Sequence, residues 1–285
     1  MDTKKPPSKQ VLEKFDITEE ATLLSGGQGT TFKAGNFILK PTESEEYAGW
    51  VANVFDNIKQ DGFRVAKYVK SSNGKYVEDG WICQEYLPGE HDHAKTRWQE
   101  IIELCKVFHS ALAEFSEPNF SKSDFLGEGN DPWSVADKMA WGEIPLEYYP
   151  ELRESIEKLL SLIKPVNLPS QIIHGDFGGN VLFHPTLPPA VIDFSPYWRP
   201  AELAPAVIIV NALALENAPL SILDYVEDVK EINQMLIRAQ LRMIFETDQH
   251  LKQNTKTLLL PVKLKDVEKY IPTIDLIYNR VINEL

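Results

Sequence analysis

Scarcity narrows the field first. The 285 residues include two cysteines, Cys83 and Cys105. Each sits in an apolar stretch, Trp81 to Tyr86 and Ile101 to Phe108, so a disulfide framework or thiolate metal site is not expected and a buried thiol is. No run of about eighteen apolar residues occurs, which speaks against a membrane span. Met1 to Gln10 is polar, carries Pro6 and Pro7 and lacks the apolar centre of a leader, so it is expected to be disordered or loosely docked. Positive charge is also short. With 29 Lys and Arg against 42 Asp and Glu the formal charge is -13, and a nucleic-acid partner would need the opposite balance. A cytoplasmic protein with neither a membrane nor a nucleic acid as partner is expected, and its oligomeric state is not legible.

What is present divides near Pro88. Hydrophobic residues make up 43% of the chain, enough for one large domain or two lobes, and no repeat of fixed period is visible. Before Pro88 the pattern is mostly strand-like. Thr30 to Lys33 and Phe37 to Lys40 read as a hairpin turned at Ala34-Gly35-Asn36, preceded by Gly26, Gly27 and Gly29. Ser44 caps a helix with Glu45 and Glu46 in its first turn, where the helix dipole favours carboxylates. Further strands are expected at Phe63 to Val69 and Tyr76 to Tyr86. After Pro88 the period becomes helical at Thr96 to Leu112, Glu151 to Ile163, Ser221 to Leu251 and Leu264 to Leu285, while Asn119 to Tyr149 looks irregular. The expectation is an α+β chain with a small sheet domain over residues 1–88 and a mainly helical domain over 89–285.

The stretch Ile172-Ile173-His174-Gly175-Asp176-Phe177-Gly178-Gly179-Asn180-Val181-Leu182-Phe183, followed by Ala190-Val191-Ile192-Asp193-Phe194, carries the chemistry. Val181 to Phe183 and Ala190 to Asp193 flank a turn-rich spacer, the pattern of an antiparallel hairpin, whose open end would bring Asn180 and Asp193 together. An amide oxygen and a carboxylate there suit Mg²⁺, which needs few protein oxygens when a substrate supplies phosphates. Asp176, on the glycine-rich loop four positions before Asn180, is then placed to accept a proton from an attacking hydroxyl.

These residues resemble the signature of the aminoglycoside phosphotransferase and choline kinase group: His-Gly-Asp, an Asn four positions on, and a later Asp at an Ile-Asp-Phe strand end. Protein kinases carry related loops. The resemblance, which runs from Leu23 to about Leu215 and is shared with a bacterial kinase-like branch, implies a bilobal protein-kinase-like fold and a Mg²⁺-dependent transfer of phosphate from ATP or GTP to a hydroxyl. It implies Asp176 as base, Asn180 and Asp193 on Mg²⁺, and His174 bracing the loop. It further implies Gly26, Gly27, Gly29 and Lys40 on the phosphates, with Glu46 preferred to Glu45 as the partner of Lys40. Adenine is expected at backbone groups of Glu85 and Leu87, with Gln84 behind it, and Glu202 as a buttress in place of the family's Asp.

The small-molecule acceptor is expected among Phe120 to Tyr149 and the loop after Asp193, where Trp133, Trp141, Glu143, Tyr148, Tyr149, Tyr197, Trp198 and Arg199 offer rings and charges. A core role for Tyr197, Trp198 and Arg199 fits the sequence as well. His91-Asp92-His93 lacks a third-ligand spacing and reads as a solvated loop, and His109 reads as a packing histidine. The competing class is a kinase-fold module that binds nucleotide for regulation and transfers little or no phosphate.

Overall fold

The computed structural model describes residues 5–24, 29–42, 44–118, 129–252, 256–257, 260–261 and 264–283. In chain order the elements are α1 (Lys9–Lys14), β1 (Thr22–Leu23), β2 (Phe32–Ala34), β3 (Phe37–Pro41), α2 (Glu45–Asn57), β4 (Arg64–Val65), β5 (Tyr68–Val69), β6 (Val77–Glu78), β7 (Trp81–Glu85), α3 (Trp98–Leu112), α4 (Pro132–Ala140), α5 (Arg153–Leu160), β8 (Ser170–His174), β9 (Val181–Leu182), β10 (Ala190–Val191), β11 (Pro196–Pro200), α6 (Leu203–Leu215), α7 (Ile232–Lys252), β12 (Lys256–Thr257), β13 (Leu260–Pro261) and α8 (Ile271–Asn283). Short 3₁₀ turns run over Pro150–Leu152, Leu220–Val226 and Leu264–Tyr270. The chain groups into two compact units, Met1–Glu90 with Leu182–Ile192, and His91–Val181 with Asp193–Leu285.

In the first unit a sheet runs β1-β2-β3-β7-β5, with β6 also on β7. The β2–β3 hairpin pairs Phe32 with Leu39 and turns at Gly35, whose φ of 57° suits a residue without Cβ. The expected single strand at Tyr76 to Tyr86 is instead a second hairpin, β6–β7. Asp79 and Gly80 both take positive φ, 47° and 81°, the backbone that a tight Asp-Gly turn adopts. Phe32, Leu39, Trp81 and Cys83 form the core, with Phe32 edge-on to Trp81 at 5.7 Å.

The expectation of a loosely docked N-terminus needs correction from Ser8 onward. The Ser8 hydroxyl accepts from the Val11 amide at 3.3 Å and caps α1, and Val11, Leu12, Phe15 and Ile17 complete the sheet's core. Lys14 then bridges Glu78 and Asp79, each at 3.0 Å. Pairing also splits the strand expected at Phe63 to Val69: β5 joins β7, whereas β4 runs parallel to β10 with Arg64 opposite Ala190. Arg64 Nε donates to the Pro188 carbonyl at 2.7 Å and Nη2 to the Pro88 carbonyl at 2.9 Å. The β4–β10 pairing and the bond to Pro188 tie residues 182–192, expected in the second domain, to the first unit.

The second unit is helical around one ribbon. α6 carries no charged residue over Leu203–Leu215 and is buried along most of its length, as a helix apolar on all sides must be. Beside it lies α7, which buries Met235, Leu236, Ile237, Leu241, Ile244 and Phe245. Two elements were not legible. α4 sits in the stretch expected to be irregular: Asp131 Oδ1 accepts from the Trp133 and Ser134 amides, each at 3.0 Å, and Pro132 takes the first helical position. β11 pairs antiparallel with β8 where a loop was expected. Pro196 and Pro200 end it, and in a two-stranded ribbon both strands are edges, which proline tolerates. Among the described residues no helix is long and apolar enough to cross a membrane.

Candidate active site

The β8–β11 ribbon gathers the expected catalytic residues in the second unit. Its register sets His174 opposite Pro196, and the Gly175 amide continues the ladder to the Ser195 carbonyl at 2.8 Å. Asp176 directly follows Gly175 and Asp193 shortly precedes Ser195, so both leave the same end of the ribbon. Asn180 folds back onto Asp176: its Nδ2 donates to the Asp176 carbonyl at 2.7 Å and to Oδ2 at 3.2 Å. With its nitrogen so committed, Asn180 has Oδ1 as its oxygen for a cation. Asp193 holds a φ of 50°, an uncommon backbone for a residue other than glycine and a frequent mark of a functional turn.

Below the loop, two buried histidines set its geometry. His109 Nδ1 donates to the Cys105 carbonyl at 2.7 Å, so Nε2 carries the lone pair that accepts the His174 amide at 3.0 Å. Burial, opposed by that carbonyl bond, pushes His109 down to about 3 and keeps it neutral. His174 in turn accepts the Asp176 amide at Nδ1, at 3.2 Å. Its ring packs between Phe177 at 5.7 Å and Phe194 at 5.6 Å, one from each limb of the site. Gly175 is required here on steric grounds, because an added Cβ would lie 2.3 Å from the Tyr197 ring.

Residues expected around the acceptor turn out to bind each other. Arg199 Nε donates to Asp137 Oδ2 at 2.8 Å, while its two terminal nitrogens fork onto the Glu143 carboxylate. Trp141 lies between two guanidinium groups, Arg199 at 5.0 Å and Arg238 at 4.9 Å from its ring centre. Tyr197 is buried under Gly175 with 6% exposure, which places its ring in the core instead of in a ligand pocket. Trp133 and Trp198 keep partial exposure. Trp133 hydrogen-bonds Glu246, a residue that the apolar pattern of α7 conceals in the sequence. Burial pushes the Glu246 carboxyl up to about 7, with Asp176 adding to the rise against the pull of Arg242. Its side chain still reaches solvent through 33% of its surface.

The His91-Asp92-His93 segment is also closer to the site than expected. His91 hydrogen-bonds the Gly179 backbone, and burial, followed by His93, lowers its pKa. It lines a cavity of about 140 Å³ together with Asp176, Gly179, Trp98, Ile208 and Asn211. Glu202 stands at the N-terminal cap of α6 but makes no side-chain capping bond.

In the first unit, Gly29 has a φ of 73° while Gly26 and Gly27 lie outside the described residues. Lys40 pairs with Ile82 between β3 and β7. Glu45 accepts the Tyr76 and Val77 amides at 2.9 and 2.7 Å, whereas Glu46 is the next residue of the same first turn. The Glu85 amide donates to the Lys67 carbonyl at 2.9 Å, and Leu87 follows the end of β7.

Among the described residues no group of three or more His, Cys, Asp or Glu side chains is arranged to hold a metal ion. Magnesium on nucleotide phosphates asks for less, one or two protein oxygens with the phosphates and water completing six, and Asn180 Oδ1 with the Asp193 carboxylate fits that demand.

An α+β chain with a glycine-bearing hairpin sheet, a mainly helical unit and an Asp-Asn-Asp set at one ribbon end belongs to the kinase-like phosphotransferase class. Residues 21–197 match the model of the phosphotransferase enzyme family, APH, and the chain belongs to that family. None of the curated proteins matches it. Solved structures with the same fold include choline kinase LicA from Streptococcus pneumoniae, at 13% identity and TM-score 0.60 over 95% of this chain and 97% of that one. The AMP-bound spectinomycin phosphotransferase APH(9)-Ia matches at 16% and 0.59 over 95% and 96%. A thermostable mutant of aminoglycoside phosphotransferase APH(4)-Ia, in ternary complex with ADP and hygromycin B, matches at 13% and 0.58 over 95% and 97%.

Proposed function

We propose that this protein is a cytoplasmic small-molecule kinase that moves the γ-phosphate of ATP or GTP to a hydroxyl of a small polar acceptor, such as an aminoglycoside-like compound, a sugar or an amino alcohol. The observation that carries the reading is the joint exit of Asp176 and Asp193 from one ribbon end, with Asn180 tied to Asp176 by its side-chain amide. Nucleotides in two of the similar structures, AMP in one and ADP in the other, support the donor.

Phosphoryl transfer needs positioning and charge neutralisation more than covalent help. Asp176 takes the proton of the acceptor hydroxyl as that oxygen bonds to the γ-phosphorus, and the bond from phosphorus to the bridging oxygen breaks to release the nucleoside diphosphate. His174, by accepting the Asp176 amide, holds the base in place. Asn180 and Asp193 hold Mg²⁺, which when bound neutralises charge on the phosphates. In the first unit Lys40, with Glu46 as its partner, and the Gly26, Gly27 and Gly29 turn serve the phosphates, while backbone groups of Glu85 and Leu87 serve the base. Trp133 and Trp198 face the acceptor, and Glu143, Trp141, Tyr197 and Arg199 support the wall behind them.

Asp176→Asn keeps the size and the hydrogen bonds of the site but cannot accept the proton. ADP release from MgATP, screened across aminoglycosides, macrolides, amino sugars, choline-like alcohols and nucleosides, should fall by about 1,000-fold or more in the variant while MgADP binding stays within twofold. Near-normal turnover would remove Asp176 from its role. Nucleotide binding with no acceptor-stimulated ADP release in the unaltered protein would favour the regulatory module.

A further inference from the structure

The residue directly before the proposed base is held by an arginine from a distant helix. Arg242, on α7 and 7% exposed at its side chain, donates from Nη1 to the Gly175 carbonyl at 2.8 Å. Its guanidinium lies on the Tyr197 ring at 4.6 Å, the same ring whose edge excludes a Cβ from Gly175. Gly175 is thus gripped twice, through its carbonyl by the cation and through its Cα by the ring that the cation stacks on.

The position of Arg242 is a compromise, which shows what it serves. Its Nε stands 3.9 Å from Asp137 Oδ1, beyond hydrogen-bond reach, and among the described residues both atoms are buried with no hydrogen-bond partner. A guanidinium free to choose would close a two-pronged pair with that carboxylate. It stays back because the Gly175 carbonyl and the Tyr197 face fix its plane, and Asp137 takes its direct bonds from Arg199 instead, at 2.7 and 2.8 Å. Burial works against the charge on Arg242, yet Tyr197, Asp137, Glu246 and Asp176 around it hold the proton on.

We infer that Arg242 is a positioning residue for phosphate transfer, which with Tyr197 clamps Gly175 and so fixes where the Asp176 carboxylate meets the acceptor hydroxyl. The inference rests on Asp176 being the base. Through Asp137 and Arg199 the clamp continues to Glu143 and Trp141, so that wall and catalytic loop form one charge-paired body.

The test uses the full chain and MgATP, with water as the acceptor where no better one is in hand. Arg242→Lys keeps a cation opposite Asp137, but one amine cannot both reach the Gly175 carbonyl and cover the Tyr197 ring. Tyr197→Leu leaves every charge in place and removes only the ring. In each variant, kcat per MgADP-binding site should fall about 10- to 100-fold with the nucleotide KM within twofold, because a displacement near 1 Å costs this much. A purely structural role would lower the number of binding sites and leave the kcat of each site unchanged. Wild-type kcat per site in both variants, with Asp176→Asn inactive, would overturn the clamp and leave the base standing. An active Asp176→Asn would overturn both.

Discussion

Replacing Gly175 by alanine and comparing it with the same change at Gly179 isolates the loop's steric requirement. At Gly175 the new Cβ would lie 2.3 and 2.4 Å from two ring carbons of Tyr197, against about 3.4 Å for ordinary contact. Either the ring or the loop must retreat by about 1 Å, and the ring is backed by Arg242. Overpacking of this kind costs about 1–3 kcal/mol, and each kcal/mol lowers the melting temperature of a chain this large by roughly 2–4 °C. Because Gly175 is bonded on both sides, to the Ser195 carbonyl and to Arg242, part of the movement passes to Asp176. A loss of about 100-fold in kcat follows from a displacement of that size. Gly179 is the steric control: a Cβ there meets nothing within 4 Å and the residue has no positive φ, so Gly179→Ala should leave the melting temperature nearly unchanged. Thermal unfolding followed by ADP release from MgATP reads the two effects separately. If Gly175→Ala melts and turns over like the unaltered protein, the contact between Gly175 and Tyr197 does not constrain the loop.

Two further outcomes can be checked by equilibrium unfolding. Phe15 is 3% exposed in the sheet's core, so Phe15→Ala should cost about 3–5 kcal/mol; a change below 0.5 kcal/mol, about what a surface site gives, would mean that the N-terminal helix does not dock. Glu246 has a folded pKa raised from 4.5 to about 7 by burial, so the native state binds the extra proton and the stability this group contributes is lost as pH rises from about 4.5 through 7. The shift sets a ceiling near 3 kcal/mol, which partial exposure reduces to about 1 kcal/mol. Glu246→Gln mimics the protonated form and should gain that much on the parent between pH 5 and pH 8; a gap that does not change with pH would contradict the assignment.

Local signals made much of the fold legible, and pairing partners account for the rest. Ser44 before two glutamates announced α2, and the structure has the Ser44 hydroxyl accepting the Tyr47 amide at 3.1 Å. The β6–β7 turn was equally local, since Asp79-Gly80 is a strong hairpin dipeptide, but it was hidden by apolar residues on both sides that read as one strand. α1 is six residues long with a polar outer face, too short for periodicity to separate it from a disordered lead-in. What fixes it is the apolar set Val11, Leu12, Phe15 and Ile17 meeting Phe32 and Trp81, a contact across the chain that no window of sequence contains.

The candidate site shows the same division in sharper form. Sequence expected Asn180 and Asp193 to be brought together by the strands around residues 181–193, and those strands do lie side by side. Yet β9 and β10 group mainly with the first unit through β4, and the carboxylates' shared exit is set by a different pairing, β8 with β11. Pro196 and Pro200 disguised β11, because proline argues against a strand in every setting except an edge. The same blind spot hid Arg242 and Glu246. Four positions apart on a helix they share a face, but nothing in the heptad-like pattern of α7 distinguishes an arginine that holds the Gly175 carbonyl from one exposed to solvent. A motif records which side chains perform a reaction; the groups that hold the motif still, His109 and Arg242, lie 65 and 67 positions from the residues they bond and become visible only when the chain is folded.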